Sequence, residues 1–151
     1  MKKKEIKILL VEDNEGDILL TLEALKEAKV SSIIQVARDG EEALQYLRKQ
    51  GRHKKAEAPD LILLDINLPK MDGKEVLAEI KKDETLMIIP VVVLTTSDSQ
   101  KDIIEAYHNH ANCFITKPVD FQKFVYVMHM IKDFWISIVQ LPNKKSYGQN
   151  N

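Results

Sequence analysis

Four places in the chain put a hydrophilic group at the end of a short apolar run: Glu12-Asp13 after "IKILLV", Asp65 after "DLILL", Thr95-Thr96 at the close of "IPVVVLT", and Lys117-Pro118 after "NCFIT". Singly, each has an ordinary explanation: an acid can cap the helix that follows, threonine suits a strand, and lysine points to water. Together they are chemically complementary. Two carboxylates about 4 Å apart repel by roughly 4 kcal/mol at an effective dielectric near 20, so clustered acids require a cation or take up protons. Carboxylate, carbonyl and water oxygens suit Mg²⁺, which keeps several waters and commonly serves phosphate chemistry. A lysine and a threonine hydroxyl then supply a positive charge and a donor, both suited to phosphoryl oxygens.

These ends meet only if the runs are parallel strands of one sheet. Five runs of strand length recur, at 6–11, 32–37, 60–65, 89–95 and 112–117. Between them lie residues at helical spacing: Ile18, Leu22 and Leu25; Ala43, Leu44 and Leu47; Val76, Leu77 and Ile80; Ile103, Ile104 and Tyr107. A fifth such segment follows the last run. Near-continuous apolar strands alternating with helices predict an α/β fold, a parallel sheet with helices on both faces joined by right-handed crossovers. In such a sheet ligands bind beyond the carboxyl ends of the strands, where the four groups fall. Asn14, Ser99 and Asp120 are suited to cap helices, Gly40 and Gly73 to open turns, and Pro59 and Pro90 to precede strands. The connection "KQGRHKKAEAPD" (49–60) reads as a basic, polar, mobile loop.

The bulk numbers limit the alternatives. A chain of 151 residues suits one domain, and 22 basic against 23 acidic residues give no overall attraction to nucleic acid or anionic membrane. The single cysteine, Cys113, excludes an intramolecular disulfide and is expected to pack as a small hydrophobe. The start, "MKKKEIKILLVED", has too short an apolar run for a signal peptide or membrane span, so a cytoplasmic protein is expected.

The segments "ILLVEDNEGD", "DLILLDINLPKMDG", "VVVLTTS" and "CFITKPVD" resemble the signature segments of the two-component response-regulator receiver domain. Within that family the chain is most similar to single-domain regulators paired with phytochromes, through "VEDNEGD", the long loop before the third run, and "HANCFITKPVD" with an extended last helix. The resemblance implies a flavodoxin-like (βα)₅ fold with strand order 2-1-3-4-5. It implies a receiver domain over 5–141, a disordered tail over 142–151 and no output domain. It makes Asp65 the phosphoacceptor for a phosphohistidine on a partner kinase, one of the phytochrome type being a candidate. Glu12, Asp13, Asp65 and the backbone carbonyl of Asn67 would hold Mg²⁺, Lys117 would pair with a phosphoryl oxygen, and Thr95 would move to hydrogen-bond another. Phe114 falls at the switch aromatic, Asn67 and Ser97 at positions that tune phosphate lifetime, and Pro118 at a cis bond. The chain would be a signalling protein rather than an enzyme, assisting only its own phosphotransfer and autodephosphorylation.

Other readings fit less well. A haloacid-dehalogenase-type phosphatase also uses a strand-end Asp, but its second Asp would stand at position 67, which is Asn, and its pair follows the first strand. A nucleotide- or flavin-binding domain lacks a glycine-rich phosphate loop here. A degenerate receiver that only binds partners conflicts with retention of all five site residues. His53, His108, His110 and His129 read as isolated surface histidines. From Phe121 to Leu141 the apolar positions cover roughly 240° of a helix, wider than one sheet covers, which predicts a homodimer through this helix and the neighbouring fourth strand, fourth helix and fifth strand. The competing explanation is a docking surface for the kinase or target. Pro142 is expected to end that helix.

Overall fold

The computed structural model describes residues 5–118 and 120–134. Five strands, β1 (Ile6–Val11), β2 (Ser32–Ala37), β3 (Leu61–Leu64), β4 (Val91–Thr95) and β5 (Cys113–Thr116), alternate with α1 (Glu15–Glu27), α2 (Gly40–Leu47), α3 (Gly73–Lys82), α4 (Gln100–His108) and α5 (Phe121–Ile131). The strands pair in parallel in the order β2-β1-β3-β4-β5. This is the doubly wound α/β sheet anticipated from the sequence, with the order that the resemblance implied.

Period-two alternation decides which helix each strand residue meets. Leu9, Val11, Ile62, Leu64, Val91 and Val93 face α2, α3 and Ala106 of α4, whereas Ile8, Leu10, Leu61, Leu63, Val92 and Leu94 face α1 and α5. Central strands β3 and β4 are buried along their whole length, so their carboxyl ends are fixed from both sides. That rigidity is what a site at the strand ends needs.

Helix starts follow local chemistry. Asn14, Ser99 and Asp120 accept backbone N–H groups of the first turn as expected, and Asp39 and Asp72 do the same for α2 and α3. Gly40 and Gly73 are first residues of helices rather than turn residues. They are glycine because a Cβ at either would lie 2.2 Å from a backbone carbonyl oxygen.

Helices α1, α2 and α4 end in the same turn: the residue after the cap lies in the left-handed region and the next N–H bonds back to the carbonyl five residues earlier. Glycine normally fills that position, but here it is Lys29, Lys49 and His110. An L-residue there costs about 1–2 kcal/mol, partly offset by the greater freedom glycine has in the unfolded chain. Exposed Lys49→Gly is therefore expected to stabilise the protein by about 0.5–1 kcal/mol. In urea this appears as a raised midpoint at unchanged slope; an unchanged midpoint contradicts it.

The 49–60 connection is more ordered than its composition suggested. It contains a 3-10 turn at Gly51–His53, and His53 is buried against Tyr46 rather than lying on the surface. On α5, Phe124, Met128 and Ile131 enter the core, while Tyr126, Met130 and Phe134 are exposed. The further apolar positions of the expected long helix, from Trp135 to Leu141, and Pro142 with the tail lie outside the described residues.

Candidate functional site

The carboxyl ends of β1, β3, β4 and β5 converge as expected. Asp65 follows β3, its N–H bonded to the Val11 carbonyl at 3.0 Å, so β1 and β3 set Glu12 and Asp65 side by side. Asp65 is 6% exposed and Glu12 2%. Lys117, directly after β5, donates its N–H to the Thr95 carbonyl at 2.7 Å, which turns its side chain back over the acids. Its ammonium bonds to a Glu12 oxygen, to Asp65 Oδ2 at 3.0 Å and to Asp17 Oδ2 at 3.1 Å.

The Asp65 carboxylate also accepts the N–H of Asn67 at 3.0 Å, and the Thr95 hydroxyl lies near enough to help hold it ionised. Ser97 donates its N–H to Thr95 Oγ1 at 3.4 Å and its hydroxyl to Asp102. Asp102 and Glu105 of α4 both pair with Lys74 of α3, at 2.6 and 2.7 Å. A continuous polar chain thus runs from the buried carboxylate to the α3–α4 surface. Phe114 is half-buried against the core on the α2–α4 side, and its N–H donates to Tyr107 Oη at 3.2 Å.

Burial divides the two acids. It pushes the Glu12 carboxyl up to about 7, neighbouring Asp65 adding to the effect against the opposing Lys117. Burial also works to raise Asp65, but hydrogen bonds with Glu12 and Thr95, the Lys117 charge and the Asn67 N–H outweigh it and hold Asp65 below the ordinary range. Lys117 stays charged: the same burial opposes it, yet the two acids raise its pKa. At neutral pH the buried pair is therefore unequal, with Asp65 held ionised and Glu12 near the middle of its titration, beside a charged ammonium.

A consequence follows for stability. Glu12 binds its proton more tightly folded than unfolded, so its stabilising contribution is complete below about 4.5 and is lost as pH rises to about 7. Asp65 has the opposite sign, losing its contribution only as pH falls through its lowered pKa. In EDTA the denaturation midpoint should be higher at about pH 5.5 than at about pH 8, and Glu12→Gln should flatten that difference. An unaltered pH dependence in Glu12→Gln contradicts this assignment.

Not every expected residue takes its anticipated place. Asp13 is exposed and is not one of the carboxylates on the Lys117 ammonium. Asp17, in the first turn of α1, is one, though sequence reasoning passed over it. The Lys117–Pro118 bond is not cis: the described residues contain no cis peptide. The trans form is intrinsically favoured before proline by about 0.5–1 kcal/mol, and Lys117 reaches all three acids without the cis bond.

Among the described residues no group of three or more His, Cys, Asp or Glu side chains is arranged to hold a metal ion, and the point on which Glu12, Asp17 and Asp65 converge is taken by the Lys117 ammonium. Two buried carboxylates nevertheless already hold a cation, the Lys117 ammonium, and all the oxygens nearby are hard donors. The donor chemistry of Glu12 and Asp65 fits a divalent ion.

The comparisons with known proteins agree with this geometry. The model of the response regulator receiver domain matches residues 8–129. Response regulator Rcp1 of Synechocystis sp. is 45% identical over 135 residues, covering 89% of this chain and 92% of that protein. The probable methanogenesis regulatory protein FilR2 of Methanothrix harundinacea is 43% identical over 129 residues, covering 85% and 83%. The phosphorylated cyanobacterial phytochrome response regulator RcpA superimposes with a TM-score of 0.88 at 50% identity, over 93% of this chain and 100% of that one. The Mn²⁺-bound form of Rcp1 does so with a TM-score of 0.84 at 44% identity, over 91% and 99%. With its sheet order, its buried strand-end carboxylate and these likenesses, the chain belongs to the response regulator receiver domain family.

Proposed function

We propose that Asp65 is the phosphoacceptor of a signalling protein that takes its phosphoryl group from a sensor histidine kinase, one associated with a phytochrome being the candidate that RcpA and Rcp1 suggest. The observation that carries this reading is a buried carboxylate held ionised at the end of β3, with the Lys117 ammonium 3.0 Å from Oδ2. An Asp65 oxygen attacks the phosphorus of phosphohistidine, the P–N bond breaks and the acyl phosphate forms. Lys117 pairs with a phosphoryl oxygen and the Thr95 hydroxyl donates to another, so that charge is met by fixed groups rather than by water. Mg²⁺, held by Glu12, Asp13, Asp65 and the Asn67 carbonyl, would offset the negative charge on the transferring group. Phe114 turns inward as Thr95 moves, and Asn67 and Ser97 flank the acyl phosphate and set its lifetime. The protein's catalysis extends to its own phosphotransfer and autodephosphorylation.

The exposed apolar residues Ile104 and Tyr107 on α4, with Tyr126, Met130 and Phe134 toward the end of the chain, support a homodimer through this face. No helix among the described residues is long and apolar enough to cross a membrane, in keeping with a place in the cytoplasm. Acetyl phosphate with Mg²⁺ followed by intact mass measurement tests the central reading. One phosphoryl adduct is expected, and its absence contradicts the proposal. Light scattering after size exclusion tests the dimer separately.

A further inference from the structure

We propose a second binding site, for a small aromatic anion, at the end of the sheet opposite Asp65. Helix α2 has eight residues and is about 12 Å long, whereas β2 runs about 20 Å, so the helix leaves the start of β2 uncovered. Ile33 is accordingly 52% exposed, large for an aliphatic side chain facing a helix layer. The connection from α2 to β3 arches over this gap instead. It is tied down at several points: the Tyr46 hydroxyl donates to the Glu57 carbonyl at 3.4 Å, Lys7 N–H to Asp60 Oδ2 at 2.9 Å, and Asp60 N–H to the Lys7 carbonyl at 2.7 Å. A cavity of about 390 Å³ results, within the range of sites for small organic ligands.

The lining selects a ligand class. Lys7, Arg52 and Lys55 face it against one acid, Glu57. Lys7 pairs with Glu57, and Arg52 with Glu42 outside the cavity, while Lys55 has no ion-pair partner among the described residues. The excess is positive and calls for an anion. Tyr46 and His53 pack edge to face with centroids 5.3 Å apart, and both line the cavity along with the apolar Ile33. Imidazole Nε2 of His53 is itself closed off from solvent, so it is the ring and not this nitrogen that His53 offers to the cavity. The cations and the aromatic pair fit an aromatic ring linked to a phosphate or a carboxylate. Lys7 and Glu12 bracket the length of β1, about 17 Å, so this site is separate from the phosphoacceptor.

The test is an amide NMR titration of the full chain without divalent metal, using AMP and nicotinate as the ring-bearing anions, with adenosine and inorganic phosphate as the halves of AMP and pyridine and acetate as those of nicotinate. At least one of the first two should give saturable shifts at Ile33, Gln35, Tyr46, His53 and Lys55, with each half binding about tenfold or more weakly. Exposed Lys55→Glu should weaken that binding by about tenfold at unchanged melting temperature. No saturable shift with either anion at millimolar concentration, shifts centred on Thr95 and Lys117 instead, or indifference of Lys55→Glu would overturn the proposal. Asp65→Asn should bind the same ligand as wild type, so failure of the phosphoacceptor reading and failure of this one are told apart.

Discussion

Asp65→Asn should remove the phosphoryl adduct completely while leaving the protein folded. The amide keeps the size of the carboxylate and can still accept the Asn67 N–H that Asp65 receives at 3.0 Å. It cannot act as the nucleophile, because its neutral oxygen is too weak to attack phosphorus and displace imidazole from phosphohistidine or acetate from acetyl phosphate. The folded state tolerates the change for an electrostatic reason. Two buried acids share one buried ammonium, and removing one of two like charges relieves Glu12, whose raised pKa owes part of its shift to Asp65. Asp17 and Glu12 remain to hold Lys117. Intact mass after acetyl phosphate and Mg²⁺ should therefore show one adduct on wild type and none on the variant, with urea midpoints close to each other. An equal adduct on both proteins places the phosphoryl group elsewhere and removes Asp65 from the role proposed for it.

The parts of this arrangement that were legible beforehand are those fixed by the sheet. Runs of apolar residues marked the strands, parallel connection brought their carboxyl ends to one rim, and the residues just past Val11, Leu64 and Thr116 had to meet there. Asp17 was not legible in the same way. An acid in the first turn of a helix has a sufficient ordinary reason to be there, since it complements the helix dipole. Geometry offered a signal: side chains tilt toward the N-terminus of their helix, so an acid in the first turn of α1 leans back over the end of β1. His53 was hidden because a histidine in a basic, glycine-containing connection carries no periodicity by which burial could be inferred. The isomer at Pro118 depends on a difference of about 0.5–1 kcal/mol, which sequence cannot resolve against tertiary contacts. What sequence reads well is set by many residues acting together; what it reads poorly is set by one or two contacts.

Gly73 shows how a residue outside the charged cluster can govern the site. A Cβ at this position would lie 2.2 Å from the carbonyl oxygen of Asp65 and 2.6 Å from Cα of Ile66. Both are backbone atoms, so no side chain can rotate away. The Gly73 N–H bonds to the Ile66 carbonyl at 2.8 Å, which presses the start of α3 onto the turn that carries Asp65. In Gly73→Ala either α3 lifts or the Asp65 backbone moves, and overpacking of this kind costs about 1–3 kcal/mol. For a chain of this length the melting temperature should fall by about 2–4 °C for each kcal/mol lost. The larger effect is kinetic. Asp65 meets Lys117 only because β3 delivers it within hydrogen-bond distance, beside Thr95, and displacement of a reacting group by about 1 Å can cost a hundredfold in rate. Labelling by acetyl phosphate, measured well below the melting temperature, should therefore slow by about tenfold or more. A folded Gly73→Ala that labels at the wild-type rate means that α3 alone absorbs the added methyl, and that the carboxylate is positioned by the strand without help from the helix behind it.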